Sequence, residues 1–227
     1  MFAILKKELN LFFATPIGYL VITLFLLING LFLWVFKGDF NILDAGFADL
    51  TNFFYITPWF FIFIIPAITM RTFSDEIRLG TIEIIKTKPI GHWEIVLGKY
   101  LGSLLLILLA LIPTISYVYT IMQLAATPES IDYGSVIGSY FGLLFLASSI
   151  TSIGLFTSTL SNNQIVAFIL GVSASFFMFY GFEAISDLNL VKDFDLQNLG
   201  MHARFESIGR GVIDSKDLIY FLSITFL

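Results

Sequence analysis

Along the chain, apolar residues gather into blocks of about twenty, the length a membrane-crossing helix needs. Charged residues collect in the stretches between them. The blocks cover 17–36, 53–70, 100–123, 134–160 and 164–182, and a further one opens at 218 and is still apolar at Leu227. The pattern predicts six spans, the last cut by the end of the sequence. Ahead of the first block, Phe2, Leu5, Leu9 and Phe12 recur at helical spacing, with Lys6, Lys7 and Asn10 on the other side. That spacing predicts a helix within 1–15 lying in the membrane surface, apolar face toward lipid. A plain polar tail is the alternative. Thr15 and Pro16 supply a cap and a first-turn proline for the first span.

Composition sharpens this picture. Of 227 residues, 57% are hydrophobic and 13% charged, about half the charge of a soluble domain. Mean hydropathy is +0.90. These values exclude a water-soluble monomer. The expected fold class is all-α: a polytopic membrane protein, one membrane domain over 1–227. Cysteine is absent, which excludes disulfides and thiolate chemistry. Net charge is −5, and no basic patch is large enough to track nucleic-acid phosphates. Seven of the twelve lysines and arginines lie in the N-terminus and 71–99, against one in 37–52 and none in 124–133. By the positive-inside rule the N-terminus and 71–99 face the cytoplasm. The segment 183–217 then lies outside.

None of the six blocks holds an Asp, Glu, Lys, Arg or His. Ion-coupled transporters place such groups within the membrane, so this class is disfavoured. The Gly98-Lys99 pair lacks the flanking residues of a phosphate loop, because position 93 is Trp and position 100 is Tyr. Prolines 58, 66 and 113 interrupt the spans. The fourth span is rich in small residues (Gly138, Gly142, Ala147, Ser148, Ser149, Ser152, Gly154), which let helices approach closely. They fit packing within the chain, or else a dimer seam. Asn29 reads as a hydrogen bond between helices.

The segment 71–99 predicts that the second span continues past the membrane and stops at Gly80. Thr81 then caps a short helix, 82–87, and Pro89 ends it. On periodicity alone, an ordinary solvated loop fits as well. The run Asp75-Glu76-x-x-x-Gly80-Thr81-x-Glu83, then Lys88-Pro89, then Trp93-x-x-x-x-Gly98-Lys99, resembles the Glu-Arg-x-x-Gly-Thr-x-Glu … Pro … Gly-Lys signature of ABC-2 type permeases. Position 77 is Ile where that signature has Arg, and Arg78 follows. The resemblance implies that Glu76, Arg78, Gly80, Thr81, Glu83, Lys86 and Pro89 belong to a coupling helix seated in a cleft of an ATP-hydrolysing partner.

In the segment 183–217, Met201, Phe205, Ile208 and Val212 recur at helical spacing, predicting an amphipathic helix. His202 and Glu206 stand one turn apart, but two ligands are too few for a metal site. Asp214 suits a cap for the last span. The string Phe205…Arg210-Gly211-Val212-Ile213-Asp214-x-x-Asp217-x-x-Tyr220 resembles a branch of short ABC-2 permeases. That branch includes the gliding-motility permeases of Bacteroidetes and permeases of copper-site maturation for nitrous oxide reductase. The opening Met-Phe-Ala-Ile-Leu-Lys-Lys-Glu-Leu is most similar to the gliding-motility group. The resemblance implies a non-catalytic subunit of the inner membrane with no cofactor of its own. ATP and magnesium would sit in a separate ATPase. Its partners would be that ATPase, a second permease chain, a membrane companion with a periplasmic part, and the lipid bilayer. A scaffold that anchors a periplasmic partner without transport is the alternative.

Overall fold

The computed structural model describes residues 1–46, 48–125, 131–187, 196–212 and 214–226. Every regular element among them is helical. A short helix α1 (Phe2–Ala14) leads into α2 (Pro16–Gly30), which ends in a π-helical turn, Leu31–Val35. A one-turn α3 (Ile42–Ala45) precedes the long α4 (Thr51–Arg78) and the short α5 (Thr81–Lys86). Next, α6 (His92–Leu111) passes through a 3₁₀ turn, Ile112–Thr114, into α7 (Ile115–Leu124). Then come α8 (Tyr133–Thr159), α9 (Gln164–Phe176) with its π turn to Gly181, and α10 (Phe182–Asp187). The chain closes with α11 (Met201–Gly209) and α12 (Ser215–Phe226). The end of the bundle that carries 71–99 is called basal below, and the opposite end apical.

Among the described residues, five helical stretches are long and apolar enough to cross a membrane: 16–35, 51–78, 92–124, 133–159 and 164–186. The first, fourth and fifth match the expected bounds closely. The second runs to Arg78, as expected of a helix that continues past its span to Gly80, and the third starts at His92, eight residues before its hydropathy-defined bound. These extensions carry charge that lies outside the expected spans 53–70 and 100–123: Arg71, Asp75, Glu76 and Arg78 on α4, and Glu94 and Lys99 on α6. Where a sixth span was expected, the described residues form the 12-residue α12, which is not one of the five; the Asp214 carboxylate at its start accepts the Lys216 N–H at 3.1 Å. Thr15 behaves differently from expectation. Pro16 opens α2, but the Thr15 hydroxyl donates back to the Leu11 carbonyl at 2.9 Å and does not cap α2.

The centre of the bundle is α8, and its small residues explain why. A Cβ on Gly154 would stand 2.1 Å from Thr69 Oγ1 of α4, and one on Gly138 would stand 2.5 Å from the Ile208 carbonyl of α11. Gly142 lies under the Phe205 ring. Ser149 and Ser152 donate to the Phe221 and Thr225 carbonyls of α12, both at 3.0 Å. The small-residue stripe is thus filled by helices of the same chain. Asn29 bonds its own helix at Phe25 O and accepts from Thr57 of α4 at 3.5 Å, the helix–helix role expected of it.

Candidate functional site: the basal coupling segment and its charge cluster

The resemblance pointed to the basal segment, and the structure resolves it into a presenting surface and a root. Helix α4 ends where Gly80 adopts φ +67°, a left-handed conformation that glycine tolerates best. The reversal starts α5. Gly80, not Thr81, occupies the cap position, and the Thr81 hydroxyl instead reaches back to the Glu76 carbonyl at 3.4 Å. That differs from the expected Thr81 cap because Thr81 already has helical backbone. Ile82 and Ile85, three residues apart, turn inward against a small basal core of Ile4, Phe73, Ile95 and Leu155. Glu83 and Ile84 face outward, with Lys88 and Pro89 exposed beyond them. Leu79, Ile84 and Trp93 are 67%, 61% and 75% exposed. The side chain of Lys86 lies outside the described residues. The result is a short, braced helix with an apolar crown rimmed by charge.

Glu76 is placed differently from a partner-facing residue. It is buried, and its Oε1 lies 2.6 Å from Lys7 Nζ and 2.9 Å from Lys99 Nζ. Lys99 is 1% exposed and also donates to Glu8 Oε1 at 2.9 Å and to the Thr72 carbonyl at 2.6 Å. Its ammonium sits 5.1 Å from the Phe73 ring centroid. The cluster holds two carboxylates and two ammonium groups, so formal charge balances. Among the described residues Glu76 Oε2 has no hydrogen-bond partner. Burial of this kind is tolerated because each charge meets an opposite one in low dielectric.

Two glycines make the cluster possible. On α6, a Cβ at Gly98 would stand 2.8 Å from Ile4 Cβ, and one at Gly102 would stand 2.7 Å from Glu8 Cβ. Their absence of side chains lets α1 lie directly on α6 and carries Glu8 onto Lys99. Helix α1 is therefore present as predicted, but its inward face is Ile4, Glu8 and Phe12. Phe2 is 79% exposed. The reading from apolar spacing missed Glu8 because a carboxylate on the packed face counts against that face. The available signal was the Ile4-Glu8-Phe12 spacing of four, facing a Gly-x-x-x-Gly frame around Lys99.

The remaining predicted residues complete the segment. Arg78 pairs with Asp75 at 2.9 Å, and Asp75 also accepts a hydrogen bond from Gln164 at the start of α9. Arg71 lies 5.0 Å over the Phe12 ring. Charge pairs thus tie α1, α4 and α6 together, and the Gln164–Asp75 hydrogen bond adds α9, within a few turns of α5. Among the described residues no three histidines or carboxylates converge as metal ligands would.

A multi-span helical bundle with a braced helix projecting from one end has the build of a membrane transport component. Residues 38–194, more than half of the chain, match the profile of the ABC-2 family transporter proteins, and the chain belongs to that family. It is accordingly a multi-pass membrane component of a transporter, of a kind that works in the bilayer with an ABC ATPase. Comparison with curated proteins gives no match.

Proposed function

We propose that the chain is the permease subunit of an ATP-driven ABC-2 transporter that couples hydrolysis by a separate ATPase to export or mechanical work. In this reading the basal end faces the cytoplasm of an inner-membrane protein, as the lysine and arginine distribution favours. The observation that carries the proposal is α5: an exposed apolar crown on a helix too short to stand alone, rooted in a buried ionic cluster. A surface that only floated in solvent would have no need of such a root. ATP-driven closure of two ATPase subunits would push α5, and the root would pass a rigid-body displacement to α4 and α6. The working unit would hold two permease chains and two ATPases. Its seam would run along the first and fifth spans, each 28% buried within the chain, against 50–61% for the other three. Resemblance to the gliding-motility permease GldF supports a role in gliding, with a companion subunit on the periplasmic side.

The test is ATPase stimulation in the reconstituted complex. Gly80→Pro cannot adopt φ +67°, and Glu83→Lys reverses a charge beside the crown. Both variants should keep the membrane domain folded and uncouple hydrolysis from function. Normal coupling in both would remove the assignment and favour the scaffold reading.

A further inference from the structure

Four of the five spans depart from regular α-helical bonding in their apical halves. The first turns π-helical over Leu31–Val35, and the Phe36 N–H bonds five residues back to the Leu31 carbonyl at 2.8 Å. The second carries Pro58, which has no N–H to give the Phe54 carbonyl. The third passes through the 3₁₀ turn Ile112–Thr114, with Pro113 at its middle. The fifth turns π-helical over Phe177–Gly181, where a Cβ on Gly181 would stand 2.6 Å from Phe177 Cδ2. The fourth span, α8, is α-helical from Tyr133 to Thr159 and has no proline. A second proline of α4, Pro66, lies two turns further toward the basal end, seated against Gly171 of α9, and is not one of this group.

Aromatic contacts bring the four interruptions to one level. Trp34, in the first, packs on Tyr117, just past the third, with ring centroids 6.2 Å apart. Tyr117 in turn packs on Phe53 of α4 at 5.7 Å. Trp59, next to Pro58, packs on Phe179 of the fifth at 5.5 Å. Tyr140 of α8 is the common bearing. Its ring meets Phe53 and Phe54 at 6.0 and 5.1 Å, and its hydroxyl donates to the Thr114 carbonyl of the 3₁₀ turn at 3.0 Å.

A π turn or a 3₁₀ stretch inside an α-helix often marks a functional site or hinge, and an interior proline is a common place for a bend. A single break can be local to its own helix. Four that touch through their rings, around one regular helix, can move only together. We infer that they form a hinge plane, on which the apical ends of the first, second, third and fifth spans swing against their basal lengths about α8. The packing leaves room for the motion. A cavity of about 790 Å³ lies on the apical side of the plane, lined by Pro58, Phe54, Phe179, Val118 and Ile121. Helix α7 has 10 residues and is about 15 Å long. A bend of about 20° at the 3₁₀ turn carries the tip of α7 by about 5 Å. Val118 and Ile121 move with it, so the swing opens or closes the cavity. The inference does not rest on the coupling reading, because the hinge belongs to this chain with or without nucleotide.

Spin-label pairs test it, since the chain has no cysteine to interfere. Tyr119→Cys with Ile137→Cys measures α7 against α8 on the apical side. Leu97→Cys with Phe156→Cys measures α6 against α8 at the basal end. All four positions are exposed. Double electron–electron resonance is recorded on the nucleotide-free chain in lipid nanodiscs. The apical pair should give two distance populations about 5 Å apart, and the basal pair one. Pro58→Ala combined with Pro113→Ala restores both helical N–H donors and should collapse the apical pair to a single population. Tyr140→Phe keeps the ring but releases the Thr114 carbonyl, and should shift the apical weight toward the longer distance. It keeps the test standing should the proline pair fail to fold. A single narrow apical population in the wild-type chain, or apical populations unchanged in the folded variants, overturns the inference. Loss of ATPase stimulation in the reconstituted complex would strike the coupling reading and leave these distances as they are.

Discussion

Lys99 concentrates the energetics of the basal end in one side chain. It touches two carboxylates and a backbone carbonyl while almost fully buried. Removing one partner from such a cluster costs about 3–5 kcal/mol, because the charges left behind stay buried. Lys99→Met should therefore lower the thermal unfolding midpoint of the purified protein sharply. Adding Glu8→Leu and Glu76→Gln to that variant should recover most of the loss, since no buried charge is then left uncompensated and Lys7 is 45% exposed. A triple variant no more stable than Lys99→Met would show that the charges do not act as a unit. Gly102 controls the same contact by shape. Gly102→Val places a branched side chain where a Cβ already stands 2.7 Å from Glu8 Cβ. Overpacking of this kind costs about 1–3 kcal/mol. Faster proteolysis of the N-terminal residues in the folded protein is the expected sign that α1 has lifted.

At the scale of elements, the apical end repeats the device on a smaller scale. Helix α11 is pinned to α12 by Arg204, whose Nη1 lies 3.0 Å from Asp217, itself 1% exposed. It is pinned to α8 by the Ser135 hydroxyl on the Gly209 carbonyl at 2.7 Å. Arg204→Ala should leave Asp217 buried without its cation and loosen α11, read as faster amide exchange across 201–209. Unchanged exchange would mean that apolar packing of Met201, Phe205 and Ile208 on α8 holds the helix unaided. Which elements exist was largely legible from the chain: α1, the spans, α5 and α11 each follow from apolar spacing or from Gly80 and Pro89. Their partners were less so. Hydropathy ends a span at Arg71 or begins one at Tyr100, because it scores each charge alone. Lys99 and Glu76 are admitted to the packed helices only as a balanced set drawn from positions up to 91 residues apart. Equally, the glycines of α8 signal close approach without saying which helix approaches.

For the whole molecule, orientation is the first quantity to measure. The chain has no cysteine, so single introduced thiols report without background. A cysteine at Thr87 should react with an impermeant reagent only once the membrane is opened, and one at Ser186 or Ser215 should react from outside. The reverse pattern would invert the proposed topology. Paired cysteines along α2 and α9 should cross-link between chains if the seam runs there. The docking of α1 on α6 also sets an order of events during biosynthesis. Glu8 leaves the ribosome 91 residues before Lys99. Over that interval α1 has no α6 to dock on, and α6 then reaches the bilayer with a lysine whose counter-ions come from two earlier helices. The amino terminus should therefore close late, as a clasp, once α6 has been made. A bulky fusion ahead of Met1, where the terminal amine lies 3.5 Å from Glu94, should hinder closure and send more newly made chains to quality-control proteolysis. The same fusion at the other end of the chain should spare them.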